Sequence, residues 1–232
     1  LSGSATVADY QTALRNLKFK NKSDDPTNNN TKVTRTITLK VRDVTLDGLS
    51  QSWSNTLSRS VTVVALKDPA TVTDDRNNTD STALTFTENG NGIIIGDSFT
   101  ITDKDDTNID SVVIRISKNY DYIINSPSTG VAINLGDSLF FASGLPTGIT
   151  AFYNYGSSTG DSITLSGSAT LADYKTALSK LTFKNNSDDP NNNNTKTTRT
   201  ITFSVRDNNS DNTNNQWSAL VTRKLKIVST SD

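Results

Sequence analysis

The sequence predicts an all-β protein made of antiparallel β-sandwich repeats, each with one short helix. Three observations lead to this prediction. Apolar and polar residues alternate along most of the chain, which is the period of a half-buried strand. Turn-forming residues separate these short runs, as in sandwiches that turn about every 8–12 residues. One long segment also occurs twice, at a spacing of 164 residues.

The duplicated segment defines the predicted domains. Residues 1–68 realign with 165–232 without a gap, and about 39 of the 68 positions are identical. A unit this long is a domain and not a solenoid repeat of roughly 20–50 residues. We therefore expect the C-terminal half of one repeat at 1–68 and one complete repeat at 69–232. The half is either a piece of a longer array or an open fragment that another chain completes, since open strand edges recruit partners.

The strands are predicted from the alternation itself. In residues 36–42, Ile37, Leu39 and Val41 alternate with Thr, Lys and Arg, and 200–206 repeat the pattern. Such runs have the period of strands with one buried face. Further predicted strands are 57–65, 84–86, 93–95, 98–102, 112–116, 131–135, 139–141, 149–153, 162–165 and 221–228.

One segment in each copy predicts a helix. The apolar residues of the second copy fall at helical spacing at Leu171, Tyr174, Leu178 and Leu181. Thr170 with Asp173 three residues later is typical of a capping box, with Asp in place of Glu. Thr6 and Asp9 repeat this signal in the first copy. We therefore assign both aspartates to helix capping.

Composition excludes several functions. The 232 residues contain no Cys, His or Met. This excludes catalytic systems that need an imidazole or a thiolate, and it excludes metal sites built from imidazole or thiolate ligands. The net charge of −1 gives no nucleic-acid footprint, and no apolar run reaches the roughly 18 residues of a membrane span. The carboxylates cluster in turn-like loops and not in one pocket, so we expect no enzyme.

The acidic residues carry the one chemical signal. There are 23 Asp but a single Glu, Glu88. The densest cluster is Asp103, Asp105, Asp106 and Asp110. In an extended segment, Asp103 and Asp105 would leave the same side of the backbone and could hold Ca²⁺, which binds carboxylate and carbonyl oxygens. A solvated turn is the alternative, because Asp is common in turns.

Two other repeated residue types have structural interpretations. Trp53 and Trp217 occupy matching positions, and we expect core-edge packing in preference to a sugar-stacking platform. Arg35 and Arg199 also match, and we expect them to cover a sheet face.

The order of motifs resembles a known family. TFTENG, ITDKD, SLFFASGLPTGITA, LSGSATLADYKTALSKLTFKNNSDDP and TRTITFSVRD follow one another between residues 85 and 207. This series is similar to the cadherin-like tandem repeats of large bacterial cell-surface proteins and adhesins. The resemblance covers 69–232 fully and 1–68 as a back half. It implies a cadherin- or immunoglobulin-like sandwich in an extracellular array, with Ca²⁺ stiffening the inter-repeat junctions.

The resemblance also implies a set of metal ligands. Its metal residues would be Glu88, Asp103, Asp105, Asp207 and Asp68, with Asp24 or Asp25 as a further candidate from the preceding repeat. Lys67-Asp68-Pro69 replaces the usual Asn-Asp pair of the linker, which removes one oxygen ligand. We therefore expect a single Ca²⁺ ion.

The leading functional hypothesis is an extracellular structural and adhesive module whose junctions are rigidified by calcium. Its partners would be neighbouring repeats of the same polymer. One alternative is a subunit of a surface filament, sheath or layer in which strands or half-domains pair between identical chains. Another is a carbohydrate-binding module, which needs exposed aromatic rings beside the acids.

Overall fold

The computed structural model describes residues 1–28, 30–43, 52–66, 68–76, 83–121, 124–125, 133–134, 136–155, 160–208 and 216–230. The chain divides into two compact units, Leu1–Leu66 and Lys67–Asp232, which we call unit 1 and unit 2. Their boundary falls close to the one expected from the repeat at residue 68. Neither described helix is long and apolar enough to cross a membrane.

The described residues of unit 1 form one helix and one pair of strands. The helix α1 spans Val7–Arg15, and the strands β1 (Thr34–Leu39) and β2 (Leu57–Thr62) pair in antiparallel fashion. No residue of α1 is buried, and β1 alternates only between exposed and half-buried positions. Within its described residues, unit 1 therefore leaves most of its large apolar side chains exposed or half-buried.

The described residues of unit 2 form the remaining helix and strands. In chain order they are β3 (Thr71–Asp74), β4 (Leu84–Thr87), β5 (Ile93–Ile94), β6 (Phe99–Thr102), β7 (Asn108–Lys118), β8 (Ile124–Asn125), β9 (Ile133–Asn134), β10 (Asp137–Phe141), β11 (Thr150–Asn154), β12 (Ser162–Thr170), α2 (Leu171–Leu178), β13 (Leu181–Asn185), β14 (Thr198–Asp207) and β15 (Val221–Val228).

The strands of unit 2 form a β-sandwich, which confirms the predicted fold class. The larger sheet has the order β11-β12-β7-β14-β15-β4, and the smaller sheets have the orders β10-β13-β5, β3-β6 and β8-β9. Among the described strands of unit 2, all pairs are antiparallel except β15 with β4. The long strand β7 lies inside the larger sheet, between β12 and β14.

Aromatic contacts join the sheets. Phe86 of β4 meets Phe183 of β13 edge to face, with ring centroids 5.4 Å apart. Phe99 of β6 meets Phe203 of β14 at 4.1 Å. All four rings are almost fully buried, and such pairs add stabilisation beyond the apolar area that they remove from water.

Two buried arginines complete the interior, which corrects the expectation that Arg199 covers a sheet face. Arg199 Nε donates to Asp137 Oδ2 at 2.5 Å, and both side chains are fully buried. Arg223 Nε donates to Asp74 Oδ2 at 3.0 Å, and its guanidinium lies 4.4 Å from the Phe99 ring centroid. Lone guanidinium groups here would be strongly unfavourable, because a buried charge needs a partner.

The helix α2 closes one end of the sandwich. Thr170 and Asp173 form the predicted capping box, and the helix buries Tyr174, Ala177 and Leu178. The Tyr174 hydroxyl donates to the Gly167 carbonyl oxygen at 2.7 Å. Gly167 has φ of +134°, and a Cβ there would lie 1.9 Å from the Gly148 oxygen, so only glycine fits.

Most predicted strands are present, with shifted ends. The expected strand at 131–135 lies partly outside the described residues. Three described strands were not predicted, β3, β8 and β13. Four of the five side chains of β13 are buried, so β13 shows no two-residue period. Its first residue, Leu181, also continues the helical spacing of the apolar residues before it.

The repeat allows a matched test of the core. Leu181→Ala should lower the free energy of unfolding of unit 2 by about 2–5 kcal/mol, because Leu181 is fully buried and truncation leaves a cavity. Leu17→Ala, at the equivalent position of unit 1, should change it by less than about 0.5 kcal/mol, since Leu17 is 59% exposed. Urea unfolding followed by circular dichroism measures both. Equal losses would contradict the described core.

Candidate metal centre

Three carboxylates from two separate parts of the chain converge in unit 2. Asp103 follows the end of β6, Asp106 lies two residues before β7, and Asp207 is the last residue of β14. Each offers one oxygen, and these oxygens all lie within 4.8 Å of one another. Two oxygens bound to one Ca²⁺ at about 2.3–2.6 Å can be at most about 5 Å apart. The three can therefore share one such cation.

Strand pairing explains why Asp207 reaches the other two. β14 runs antiparallel to β7, and Asp207 is registered with Ile109 near the start of β7. A register shift occurs between Arg206 and Asp207, and such irregularities re-aim a side chain. The end of β14 is thereby placed beside the turn that leads from β6 into β7.

That turn is built around Asp103. Its Oδ1 accepts the backbone N–H of Asp105 at 3.1 Å and that of Asp106 at 3.0 Å. This is the local side-chain-to-backbone bonding by which Asp favours turns. The expectation of an extended backbone at 103–105 is wrong, because β6 ends at Thr102. The turn brings Asp103 and Asp106, the first and fourth residues of the segment 103–106, into the three-carboxylate group.

Burial raises the energetic cost of negative charge on the three carboxylates. The pKa of the Asp103 carboxyl is raised from 3.8 to about 7, first by burial and then by the neighbouring Asp105 carboxyl, while the two backbone N–H donors oppose the rise. Asp103 Oδ2 is buried and accepts no hydrogen bond from the described residues. Asp106 and Asp207 are themselves buried. A proton or a cation would relieve this concentration of negative charge.

Backbone contacts with Gln216 fix the position of Asp207. Its Oδ1 accepts the backbone N–H of Gln216 at 2.7 Å, and its own N–H donates to the Gln216 carbonyl oxygen at 3.2 Å. Asp207 is fully buried. The backbone contacts therefore hold the carboxylate in a defined position.

Asp105 and Asp68 lie together beside the three carboxylates. Asp68 donates its backbone N–H to Asp105 Oδ2 at 3.1 Å, and its side chain pairs with Lys104 Nζ at 3.3 Å. Asp105 Oδ1 is buried and accepts no hydrogen bond from the described part of the chain. A pocket of ≈ 260 Å³ is lined by Asp68, Pro69, Thr71, Thr102, Asp103 and Lys104.

Glu88 lies outside the three-carboxylate group. It follows β4, and its Oε2 accepts the Thr230 backbone N–H at 2.7 Å and the Thr230 hydroxyl at 3.3 Å. Its other oxygen, Oε1, is buried without a hydrogen bond from the described residues. In this structure Glu88 secures the segment that follows β15.

The expected ligands are therefore brought together only in part. Asp103 and Asp207 share the group, Asp105 and Asp68 contact each other next to it, and Glu88 binds Thr230. Asp106 was not among the expected ligands. The sequence did contain a signal for Asp106. When an Asp side chain accepts the backbone N–H groups two and three residues later, the resulting turn places the residue three positions later beside that Asp.

Other acidic residues have structural roles. Asp9 and Asp173 form the capping boxes. Asp25 accepts the Thr27 N–H and Asp189 accepts the Asn193 N–H. These contacts agree with the expected turn and capping chemistry, and Asp24 shows no place in the three-carboxylate group.

The tryptophans and exposed tyrosines lie on the surface. Trp53 is 61% exposed and Trp217 44%. Each stacks against the arginine that is its direct partner in an isolated antiparallel bridge, Arg42 and Arg206 respectively. Tyr153 and Tyr155, on and beside the edge strand β11, stack with centroids 5.2 Å apart. One face of each indole is thus occupied by a guanidinium.

Comparisons with known proteins add little to this geometry. No protein family matches the sequence, and no curated protein sequence is similar to it at a significant level. The fold is similar to that of a cohesin module from a family 33 glycoside hydrolase of Clostridium perfringens, with 9% identity and a TM-score of 0.36. The match covers 70% of this chain and 98% of the cohesin module.

The raised pKa of Asp103 predicts a specific pH dependence without metal. The folded protein keeps the Asp103 proton up to about pH 7, whereas the unfolded chain loses it near 3.8. Its contribution to the free energy of unfolding is complete below that lower value and is lost as pH rises through about 7. Urea unfolding in EDTA at several pH values measures this loss.

Asp103→Asn is the control for that titration. The asparagine Oδ1 can still accept both turn N–H groups, but the residue no longer titrates. Above pH 7 in EDTA the variant should be more stable than the parent, and the difference should shrink towards pH 4. An unchanged difference across this range would show that Asp103 does not titrate near 7.

Proposed function

We propose that the chain is a non-catalytic, extracellular structural and adhesive module of a tandem array, rigidified by Ca²⁺ at its acidic turns. The observation that carries the proposal is the convergence of Asp103, Asp106 and Asp207 within 4.8 Å. They come from two segments distant in sequence, so one ion would cross-link the β6–β7 turn to the end of β14.

The donor chemistry favours a hard cation. All three side chains offer carboxylate oxygens, and the sequence contains no Cys or His to select zinc or copper. Ca²⁺ takes six to eight oxygens in flexible geometry and readily uses backbone carbonyls and water besides carboxylates. The three carboxylates supply the charge for this coordination, and the pocket beside Asp103 leaves room for water.

The ion would act on the segment where unit 2 begins. Asp105, in the middle of the ligand-bearing turn, holds the backbone N–H of Asp68, and Lys104 pairs with the Asp68 carboxylate. A cation that orders residues 103–106 would therefore also order the linker residues bound to them. A bound ion turns a mobile connection into a stiff one, which is the mechanical function proposed.

The repeat supports the array. A 68-residue segment that recurs at a spacing of 164 residues, with about 39 identical positions, supplies the same sequence more than once, and neighbouring repeats contact one another in such arrays. The motif order resembles cadherin-like repeats of bacterial surface proteins. We accordingly propose neighbouring repeats as partners and the cell surface as the location.

A filament, sheath or layer subunit is the second candidate, favoured by the open apolar face of unit 1. Val7, Leu17, Leu57 and Leu66 there are all more than half exposed. Pairing of half-domains would cover such residues.

Thermal unfolding with EDTA and with added Ca²⁺ tests the calcium mechanism. Because an ion bound only by the folded state stabilises it, Ca²⁺ at about 100 times its Kd should add about 2.7 kcal/mol. For a chain of this size that corresponds to a rise in Tm of about 5–10 °C. An identical Tm in both conditions would remove calcium from the proposed function.

The duplicated sequence supplies a matched pair of variants. Asp207→Asn should abolish the Ca²⁺-dependent rise in Tm, while its oxygen can still accept the Gln216 N–H. Asp43→Asn, at the equivalent position of unit 1, should leave the rise unchanged. A loss of the calcium effect in both variants, or in neither, would contradict the assigned site.

A further inference from the structure

Unit 1 shares its helix and one strand pair with the last 68 residues of unit 2. The capping box of Thr6 with Asp9 repeats that of α2. The Tyr10 hydroxyl donates to the Gly3 carbonyl oxygen at 2.5 Å, as the Tyr174 hydroxyl does to that of Gly167. The ladder of β1 with β2 matches that of β14 with β15 position by position. Unit 1 is thus a back half of the sandwich by structure as well as by sequence.

The same side chains are buried in one copy and exposed in the other. Leu17 is 59% exposed and Phe19 44%, whereas Leu181 and Phe183 are fully buried. Val41 is 52% exposed, against 0% for Val205. Further matched pairs in which only the unit 2 residue is buried are Tyr10 with Tyr174, Leu14 with Leu178, Ile37 with Ile201, Leu39 with Phe203, Val61 with Leu225 and Val63 with Ile227.

Residues 69–164 provide the cover in unit 2. β7 pairs with β14 from Thr200 to Asp207, and Phe99 packs on Phe203. These front-half residues supply sheet neighbours and apolar partners for the surface that unit 1 leaves open. Contiguous exposed apolar surface is typical of interaction sites.

The charges of this surface identify what would fit it. In unit 2 the front half supplies Asp137 to Arg199 and Asp74 to Arg223. Arg35 corresponds to Arg199 and donates to the Pro26 carbonyl oxygen at 2.7 Å, just as Arg199 donates to that of Pro190. No described carboxylate pairs with Arg35. The Arg35 guanidinium is therefore already oriented to pair with a carboxylate.

The second arginine shows the same pattern. Arg59 corresponds to Arg223 and lies on the exposed strand β2. Among the described residues no carboxylate pairs with it either. Unit 1 thus presents two guanidinium groups at the positions where the front half of unit 2 places two aspartates.

We propose that the apolar face of unit 1, with Arg35 and Arg59, is a docking surface for a second front half of the kind formed by residues 69–164.

A second copy of this chain does not satisfy the surface. Each copy holds two back halves and one front half, and the front half already covers residues 165–232. Exchange between copies would leave one back half open per chain. The occupant is therefore an additional front half. This inference needs no metal and stands apart from the proposed calcium mechanism.

The test places a copy of residues 69–164 directly before Leu1 of the full chain. Hydrogen exchange is then measured for the amides of α1 and β1. In the parent chain they should exchange rapidly, since little covers them. In the extended chain they should slow by about 100-fold or more and approach the rates of α2 and β14, because closing the sandwich raises the free energy of local opening.

Charge variants of the extended chain separate specific docking from collapse. Arg35→Asp should remove the protection of β1, and Asp137→Arg in the added copy should restore it by reversing the pair. Arg15→Asp, on the exposed helix α1 outside this pairing, should have no effect. Protection that is insensitive to Arg35→Asp would overturn the role of the charge pair.

One further outcome would overturn the proposal. Protection of α1 and β1 in the parent chain itself, growing with its concentration, would show that a second copy covers the surface.

Discussion

Charge compensation inside the sandwich is the constraint on which the structure depends. β14 buries every second side chain, and the inward row begins with Arg199 and ends with Asp207. Arg199 meets Asp137 at one end, whereas Asp207 meets two more carboxylates, Asp103 and Asp106, at the other. A buried charge is tolerated only with an opposite charge or a proton. The acidic end of the row is therefore where a cation from solution would complete the fold.

This asymmetry links folding to the proposed mechanical function. The Arg–Asp pairs are internal and need nothing from outside, so they close the front half on the back half. Under the proposed function the three-carboxylate group would take up a cation, and the turn that carries Asp103 and Asp106 also holds the backbone of Asp68 through Asp105. Calcium would consequently control the stiffness of the segment entering unit 2 without being required for the apolar core.

The sequence predicted much of the fold and part of the site, and the differences have physical reasons. The two-residue period predicts strands with one buried face such as β14, but it fails for β13, which is buried on both faces. The capping residues predicted both helices because their bonds are local. The partner of Arg199 lies 62 residues away at Asp137, and no local pattern encodes that contact. Asp106 was missed because the turn, not an extended strand, decides which carboxylates converge.

The most direct test of calcium binding is a crystal structure of the chain grown with Ca²⁺, with anomalous diffraction used to locate the ion. The account predicts one strong anomalous peak among Asp103, Asp106 and Asp207, about 2.3–2.6 Å from an oxygen of each. Asp105 should retain the Asp68 N–H. A crystal containing Ca²⁺ elsewhere, with no peak among these three carboxylates, would contradict it.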